Sequence, residues 1–212
     1  MPAIFAIALG LSLFFPALRA ETQPTPGKRS LVFLGDSLTA GLGVQSNEAF
    51  PNLVAEKISA AGLPFKVENA GLSGDTTAGG LRRIDWLLQR PIDVLVIELG
   101  ANDGLRGLDL KSMKTNLQTI IDKTKAKNAD VKIVLAGMQV PPNLGADYSA
   151  GFPRVYSELA QENKATLIPF LLEGVGGRRE LNQADLIHPT PAGHRIIADL
   201  VWRTLEPILR QS

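Results

Sequence analysis

The chain has 212 residues, 45% of them hydrophobic and 20% charged, which suits one well-buried globular domain and excludes a fibre or an extended disordered protein. Its 22 basic residues nearly balance 21 acidic ones, so there is no basic footprint for nucleic acid. Zero cysteines exclude disulfides, thiolate metal sites, a cysteine nucleophile and a lipid-modified N-terminal cysteine.

The first element is an apolar stretch from Ile4 to Phe15, about the length of a signal-peptide core and short of the roughly 20 residues of a membrane span. Ala17-Leu18-Arg19-Ala20 offers a cleavage site, with an uncleaved anchor as the alternative. Residues 1–20 are therefore predicted to be a leader, and the protein periplasmic or secreted. Removing Arg19 with the leader leaves 21 basic residues against 21 acidic, a formal charge of zero. Residues 21–29 contain Pro24, Pro26 and Gly27 among polar residues and read as a short linker. The domain is expected to cover 30–212.

From Ser30 onward, apolar runs of strand length recur at Leu31–Leu34, Phe65–Val67, Val94–Leu99, Val131–Ala136 and Thr166–Phe170. Their continuity, without strict alternation, predicts strands covered on both faces. Between them, Phe50, Leu53, Val54 and Ile58 share one helical face, as do Met113, Leu117, Ile120, Ile121 and Thr124. Further helices are predicted at 81–89, 154–164 and, after Pro191 in the first turn, 192–209. This β-α alternation predicts an α/β fold: a single-domain, three-layer α/β/α sandwich around a five-stranded, mostly parallel sheet.

In such sheets the reactive groups gather at the carboxyl edge of the strands. Strand one ends in Gly35-Asp36-Ser37, strand two in Asn69-Ala70-Gly71-Leu72-Ser73-Gly74-Asp75, and strand three in Gly100-Ala101-Asn102-Asp103-Gly104. Asp185-Leu186-Ile187-His188-Pro189 follows strand five, so all four clusters should meet on one edge. A serine hydroxyl is a weak nucleophile without an adjacent base. Of the two histidines, His188 is the candidate base because Asp185 stands three residues before it to orient the ring, whereas His194 lies inside the last helix in a solvated or capping role. Gly74 can bring a bare N–H to a developing oxyanion, Asn102 an uncharged amide donor, and Ser37 its own N–H.

These ordered blocks, Gly35-Asp36-Ser37-Leu38, Gly71-Leu72-Ser73-Gly74-Asp75-Thr76, Gly100-Ala101-Asn102-Asp103 and Asp185-Leu186-Ile187-His188-Pro189, resemble those of the SGNH (GDSL) hydrolases. The string from Glu98 to Gly107 is similar to the bacterial thioesterase I, arylesterase and lysophospholipase L1 branch. The resemblance runs from Ser30 to the C-terminus and implies a flavodoxin-like SGNH hydrolase fold. By position it makes Ser37 the nucleophile, Asp185 the orienting acid and His188 the general base, with Ser37, Gly74 and Asn102 as the oxyanion hole. Asp36, Ser73, Asp75 and Asp103 are expected to brace the loops.

The implied reaction is acyl transfer through an acyl-enzyme on Ser37, with no cofactor and no metal, on aryl esters, short-to-medium acyl esters, acyl-CoA thioesters or lysophospholipids. A histidine base predicts a rate that falls in acid, since free imidazole titrates near about 6.5; a rate flat between about pH 5 and about pH 8 would count against it. Leu105 and Leu108, with Pro141, Pro142 and Tyr148, are candidates for an apolar wall beside Ser37. The expected partner is the small-molecule ester or thioester, with no nucleic acid, no membrane span once the leader is removed, and a monomeric chain.

Rival readings are weaker. A receiver-like signalling module would use Asp36 and Asp103 but needs a lysine after strand five, where Ile168-Pro169-Phe170 stands. A binding module that had lost catalysis would not keep every block. An α/β-hydrolase requires Gly-x-Ser-x-Gly, and Ser37 is followed two positions later by Thr39. Two histidines among scattered acids offer no clustered ligand set for a metal hydrolase.

Overall fold

In the computed structural model, residues 27–211 are described; the leader expected at 1–20 and most of the linker expected at 21–29 lie outside them. Five strands form one sheet in the order β2-β1-β3-β4-β5: β1 (Arg29–Gly35), β2 (Phe65–Gly71), β3 (Val94–Glu98), β4 (Lys132–Ala136) and β5 (Thr166–Ile168). All four pairings are parallel. The inner strands β1 and β3 are apolar on both faces because helices cover both, and Leu31, Phe33, Leu34, Leu95 and Ile97 are fully buried. Edge strand β2 buries Phe65 and leaves its later residues only partly covered.

Among the described residues seven α-helices complete the layers: α1 (Ser37–Ala40), α2 (Phe50–Ala60), α3 (Thr77–Leu87), α4 (Ala101–Leu105), α5 (Leu110–Lys127), α6 (Ala146–Asn163) and α7 (Pro191–Gln211). α2 packs on α7, while α3 packs on α5 and α5 on α6, giving a helical layer on each side of the sheet. The sheet pairing therefore matches the expected three-layer α/β/α architecture, fully parallel among the described strands.

Two helices start earlier than the sequence periodicity predicts. α3 begins at Thr77, not Leu81, since the Thr76 hydroxyl accepts the Gly79 N–H at 3.2 Å and the Gly79-Gly80 doublet is buried in the helix rather than breaking it. α6 runs two turns ahead of Pro153, with Tyr148 and Phe152 packed ring on ring at 6.1 Å across that stretch. α1 and α4 are single turns at strand ends, too short to leave a periodic signal.

His194 departs from a solvated role. It is fully buried on α7, stacked on Phe50 at 6.3 Å, and its Nδ1 accepts the Phe50 N–H at 3.3 Å, capping the first turn of α2. Accepting at Nδ1 places the ring hydrogen on Nε2, which is buried without a partner among the described residues. Burial pushes the His194 pKa down from 6.5 to about 4, so the native protein holds the ring neutral. Because the folded value is depressed, this neutral ring contributes its full stability above about pH 6.5 and loses it as the pH falls toward about 4, a change on the order of 3 kcal/mol. Thermal melts from neutral to mildly acid pH should show that loss in the wild type and a shallower one in His194→Gln; parallel curves would refute it.

Candidate active site

The site grows from the carboxyl end of β1. The chain leaves the strand at Gly35, where any side chain would collide with Thr39 and Glu98, and turns at Asp36, whose carboxylate accepts the Leu38 N–H at 3.0 Å as the cap of α1. This presents Ser37, 8% exposed, at the first position of α1. Its Oγ lies 2.9 Å from His188 Nε2 across 151 residues of sequence.

The His188 loop is locally fixed. Asp185 Oδ1 accepts the N–H groups of Ile187 and His188 at 2.9 and 3.0 Å, and Asp185 Oδ2 lies 2.6 Å from His188 Nδ1. These bonds pull the Asp185 pKa down to about 2, so it stays a carboxylate at any pH where imidazole is neutral. Between them Leu186 takes a positive φ of 60°, rare for a side chain of its size. Gln183 ties this loop to the exit of α1: its Nε2 donates to Leu42 O at 2.7 Å and to Pro189 O at 3.0 Å.

Asn102, in the first turn of α4, donates through Nδ2 to Asp36 Oδ2 at 3.0 Å and to Asp75 O at 2.9 Å, so both amide hydrogens are engaged. Gly74 is exposed with φ 78°, and among the described residues no acceptor takes its N–H or that of Ser37. The acidic neighbours brace the loops: Asp103 accepts the Thr77 N–H and hydroxyl at 2.8 and 2.6 Å, fixing the start of α3, while Asp75 pairs with Arg83 at 2.7 Å. Ser73 is exposed.

Two residues given no role from the sequence hold this edge together. Arg83 on α3 donates to Asp75 and also to Ala70 O and Gly35 O at 2.7 and 2.9 Å, clamping the ends of β1 and β2 to the Gly74 loop. Glu98 closes β3 fully buried; its Oε2 accepts the Asp36 N–H at 3.2 Å, the Thr39 N–H at 3.3 Å and the Thr39 hydroxyl at 2.7 Å. Burial raises both neighbouring carboxyls, Asp36 to about 6 and Glu98 well above its ordinary range. A lone glutamate in the apolar Val94–Leu99 run was the available signal of a buried carboxyl with work to do.

Beside Ser37 opens a cavity of about 440 Å³ whose lining includes Leu105, Met138, Val140, Pro141, Phe170 and Ile187. Of the five candidate wall residues, Leu105 and Pro141 line it, and Pro142 does not. Leu108 and Tyr148 do not: the Tyr148 hydroxyl donates to Leu108 O at 2.7 Å, pinning the two together away from the cavity. Leu42, Leu72, Leu105, Leu186 and Ile187, on the loops of this edge, are exposed.

Comparison with known proteins gives the constellation a family. The chain is 42% identical over 183 residues to "Esterase TesA" of Pseudomonas aeruginosa, which covers 85% of this chain and 90% of that protein. It is 36% identical over 214 residues to "Thioesterase 1/protease 1/lysophospholipase L1" of Escherichia coli K12, covering 100% and 94%. Among solved structures, that of psychrotrophic esterase EstA from Pseudoalteromonas sp. inhibited by monoethylphosphonate superposes with a TM-score of 0.80 at 34% identity, covering 86% of this chain and 99% of that one. The profile of the GDSL-like lipase/acylhydrolase family matches residues 33–196, a span that starts inside β1, ends inside α7 and takes in Ser37 and His188 alike, so the chain belongs to that family.

Proposed function

We propose that the protein is a serine esterase that hydrolyses carboxylic esters and thioesters through an acyl-enzyme on Ser37. The carrying observation is the continuous chain of short contacts Ser37 Oγ–His188 Nε2 and His188 Nδ1–Asp185 Oδ2 at 2.9 and 2.6 Å, set beside an apolar cavity. Family membership and the esterase and thioesterase names of its relatives support the same reading.

In the proposed reaction Ser37 Oγ attacks the acyl carbon while His188 Nε2 takes its proton, and Asp185 steadies the resulting imidazolium. His188 then protonates the leaving alcohol or thiol. Water, deprotonated by the same ring, attacks the acyl-enzyme and frees the acid. The N–H groups of Ser37 and Gly74 are free to meet the oxyanion, and Asn102 is the third donor once one of its amide hydrogens is re-aimed. Asn102→Ala should lower kcat by about 10² to 10³ with little change in KM; a loss below tenfold would remove Asn102 from the hole.

The cavity supports an apolar acyl group. Each methylene it buries adds about 0.8 kcal/mol, which is about a fourfold gain in kcat/KM per carbon until the wall is reached. Rates on p-nitrophenyl esters from acetate to palmitate, beside an acyl-CoA and a lysophospholipid, test this, and a flat series would refute an acyl-binding cavity. Fluorophosphonate labelling that is lost in Ser37→Ala tests the nucleophile itself.

Export through residues 1–20 is the proposed location. Among the described residues no helix is long and apolar enough to cross a membrane. An exported enzyme does not share a compartment with cytosolic acyl-CoA, which makes lysophospholipids and extracellular esters the proposed natural substrates over acyl-CoA.

A further inference from the structure

The proposed chemistry leaves one buried titratable group unused. Glu98 has zero exposure; three donors from the nucleophile turn converge on its Oε2, while its Oε1 meets no donor among the described residues. Its neighbour is another buried acid: the Asp36 N–H donates to Glu98 Oε2 at 3.2 Å, and Asp36 is itself enclosed. The carboxyls of both residues are thus held away from solvent, at 1% and 0% exposure. Two enclosed acids this close do not both ionise, so the pair keeps a proton.

The surroundings say which acid holds it. Asp36 accepts the Leu38 N–H and the Asn102 amide, and both bonds favour its charged form. Its other ionisable neighbour is His188, from the 185–189 loop. Glu98 is more deeply enclosed and faces, besides Asp36, the buried Tyr156 of α6, with Asp103 of α4 beyond it. Arg83, the nearest cation on α3, spends its guanidinium on Asp75 and two carbonyls and does not reach Glu98. Burial therefore favours a single proton on the pair, and its deeper enclosure favours Glu98 as the holder.

We propose that Glu98 is a positioning residue: its proton, donated to Asp36, weakens the grip of Asp36 on Asn102 and lets the Asn102 amide turn to the oxyanion. This rests on the reading of Ser37 as nucleophile and Asn102 as oxyanion donor. In the resting structure both Asn102 amide hydrogens are committed, one to Asp36 Oδ2 and one to Asp75 O. A bond to a full carboxylate is roughly twice as strong as one between neutral groups, so an Asp36 whose charge is already drawn toward a Glu98 proton releases the amide more readily. The need for Gly35 agrees with this arrangement, because any side chain there would push Glu98 and Thr39 away from the turn.

The test compares Glu98→Ala and Glu98→Gln on p-nitrophenyl butyrate, with folding checked by circular dichroism. Glu98→Ala should lower kcat about 10²-fold with KM within about threefold of wild type, the mark of an interaction made only in the transition state. Glu98→Gln, whose amide cannot ionise yet still donates to Asp36 and accepts from Thr39, should restore kcat to within about fivefold. An unchanged kcat in Glu98→Ala, or a Glu98→Gln as impaired as Glu98→Ala, overturns the proposal. Should Glu98→Ala not fold, Glu98→Gln decides alone, a kcat more than about tenfold below wild type being the overturning result. Turnover and fluorophosphonate labelling of Ser37→Ala run in parallel separate the two failures: activity surviving there overturns the nucleophile assignment, whatever Glu98 does.

Discussion

Ser37→Ala should reduce kcat on an activated ester by about 10⁶ while KM and the melting temperature stay near wild type. The substitution removes Oγ and nothing else: the rest of the cavity lining is untouched, and the backbone bonds of the turn to Glu98 and the Asp36 cap remain. Without Oγ, His188 has no proton to take and no acyl-enzyme forms. His188→Ala should cost about as much, because the hydroxyl then keeps its proton, and the double variant should be no worse than either single one. Residues acting as one unit give that non-additive pattern. Single-turnover rates of the three variants on p-nitrophenyl butyrate check it; losses that multiply in the double variant would show that Ser37 and His188 work in separate steps.

Much of this site could be read from the sequence because its parts are local in the chain and the topology is regular. Continuous apolar runs alternating with helical faces give a parallel sheet, and a parallel sheet sends every strand end to one edge. That rule alone brings Ser37, Asn102 and the Asp185 to His188 turn to one edge. What was not legible depends on contacts that periodicity does not encode. Arg83 sits on a helix face, and only the fold brings its guanidinium to Gly35 O, Ala70 O and Asp75 at once. Glu98 was counted as the tail of an apolar strand. Tyr148 was taken for a wall residue since its loop lies after β4, but two helical turns before Pro153 carry it onto Leu108 and Phe152. Of the two roles the sequence offers His194, solvated or capping, the fold realises the second across elements: α2 lacks a side-chain cap of its own and takes this buried ring instead.

The divided origin of the proposed triad explains the bracing around it. Ser37 is placed by a strand end and therefore by the core, whereas His188 sits on a largely exposed loop held by hydrogen bonds and by the buried Pro189. Gln183 supplies the link, donating at once to Leu42 O beside α1 and to Pro189 O within the His188 loop. The Gln183 N–H also donates to His188 O at 2.7 Å, and Asn182 bridges Pro189, so the loop is closed on itself before it is docked on α1. Held this way, the proposed base His188 keeps its 2.9 Å distance to Ser37 Oγ without being buried.

Asp185→Asn carries the second large effect, a fall in kcat of about 10⁴ by analogy with serine proteases. Asp185 Oδ1 accepts two backbone N–H groups, Ile187 and His188, so the amide of an asparagine must keep its oxygen there and turn its NH₂ to the position of Oδ2. That NH₂ then faces His188 Nδ1 at what was a 2.6 Å contact with an acceptor. The ring can meet it only by losing the hydrogen from Nδ1, which moves the hydrogen to Nε2 and points it at Ser37 Oγ. In that tautomer His188 offers Ser37 a donor where the reaction needs an acceptor, and the charge that steadied the imidazolium is gone as well. Because the Asp185 side chain is 45% exposed and both backbone bonds persist, the melting temperature should barely move, which separates this outcome from unfolding. Fluorophosphonate labelling should slow in proportion to kcat, since both reactions need the same deprotonated Oγ. A kcat within tenfold of wild type would mean that the 2.6 Å bond fixes the loop without setting the tautomer of His188.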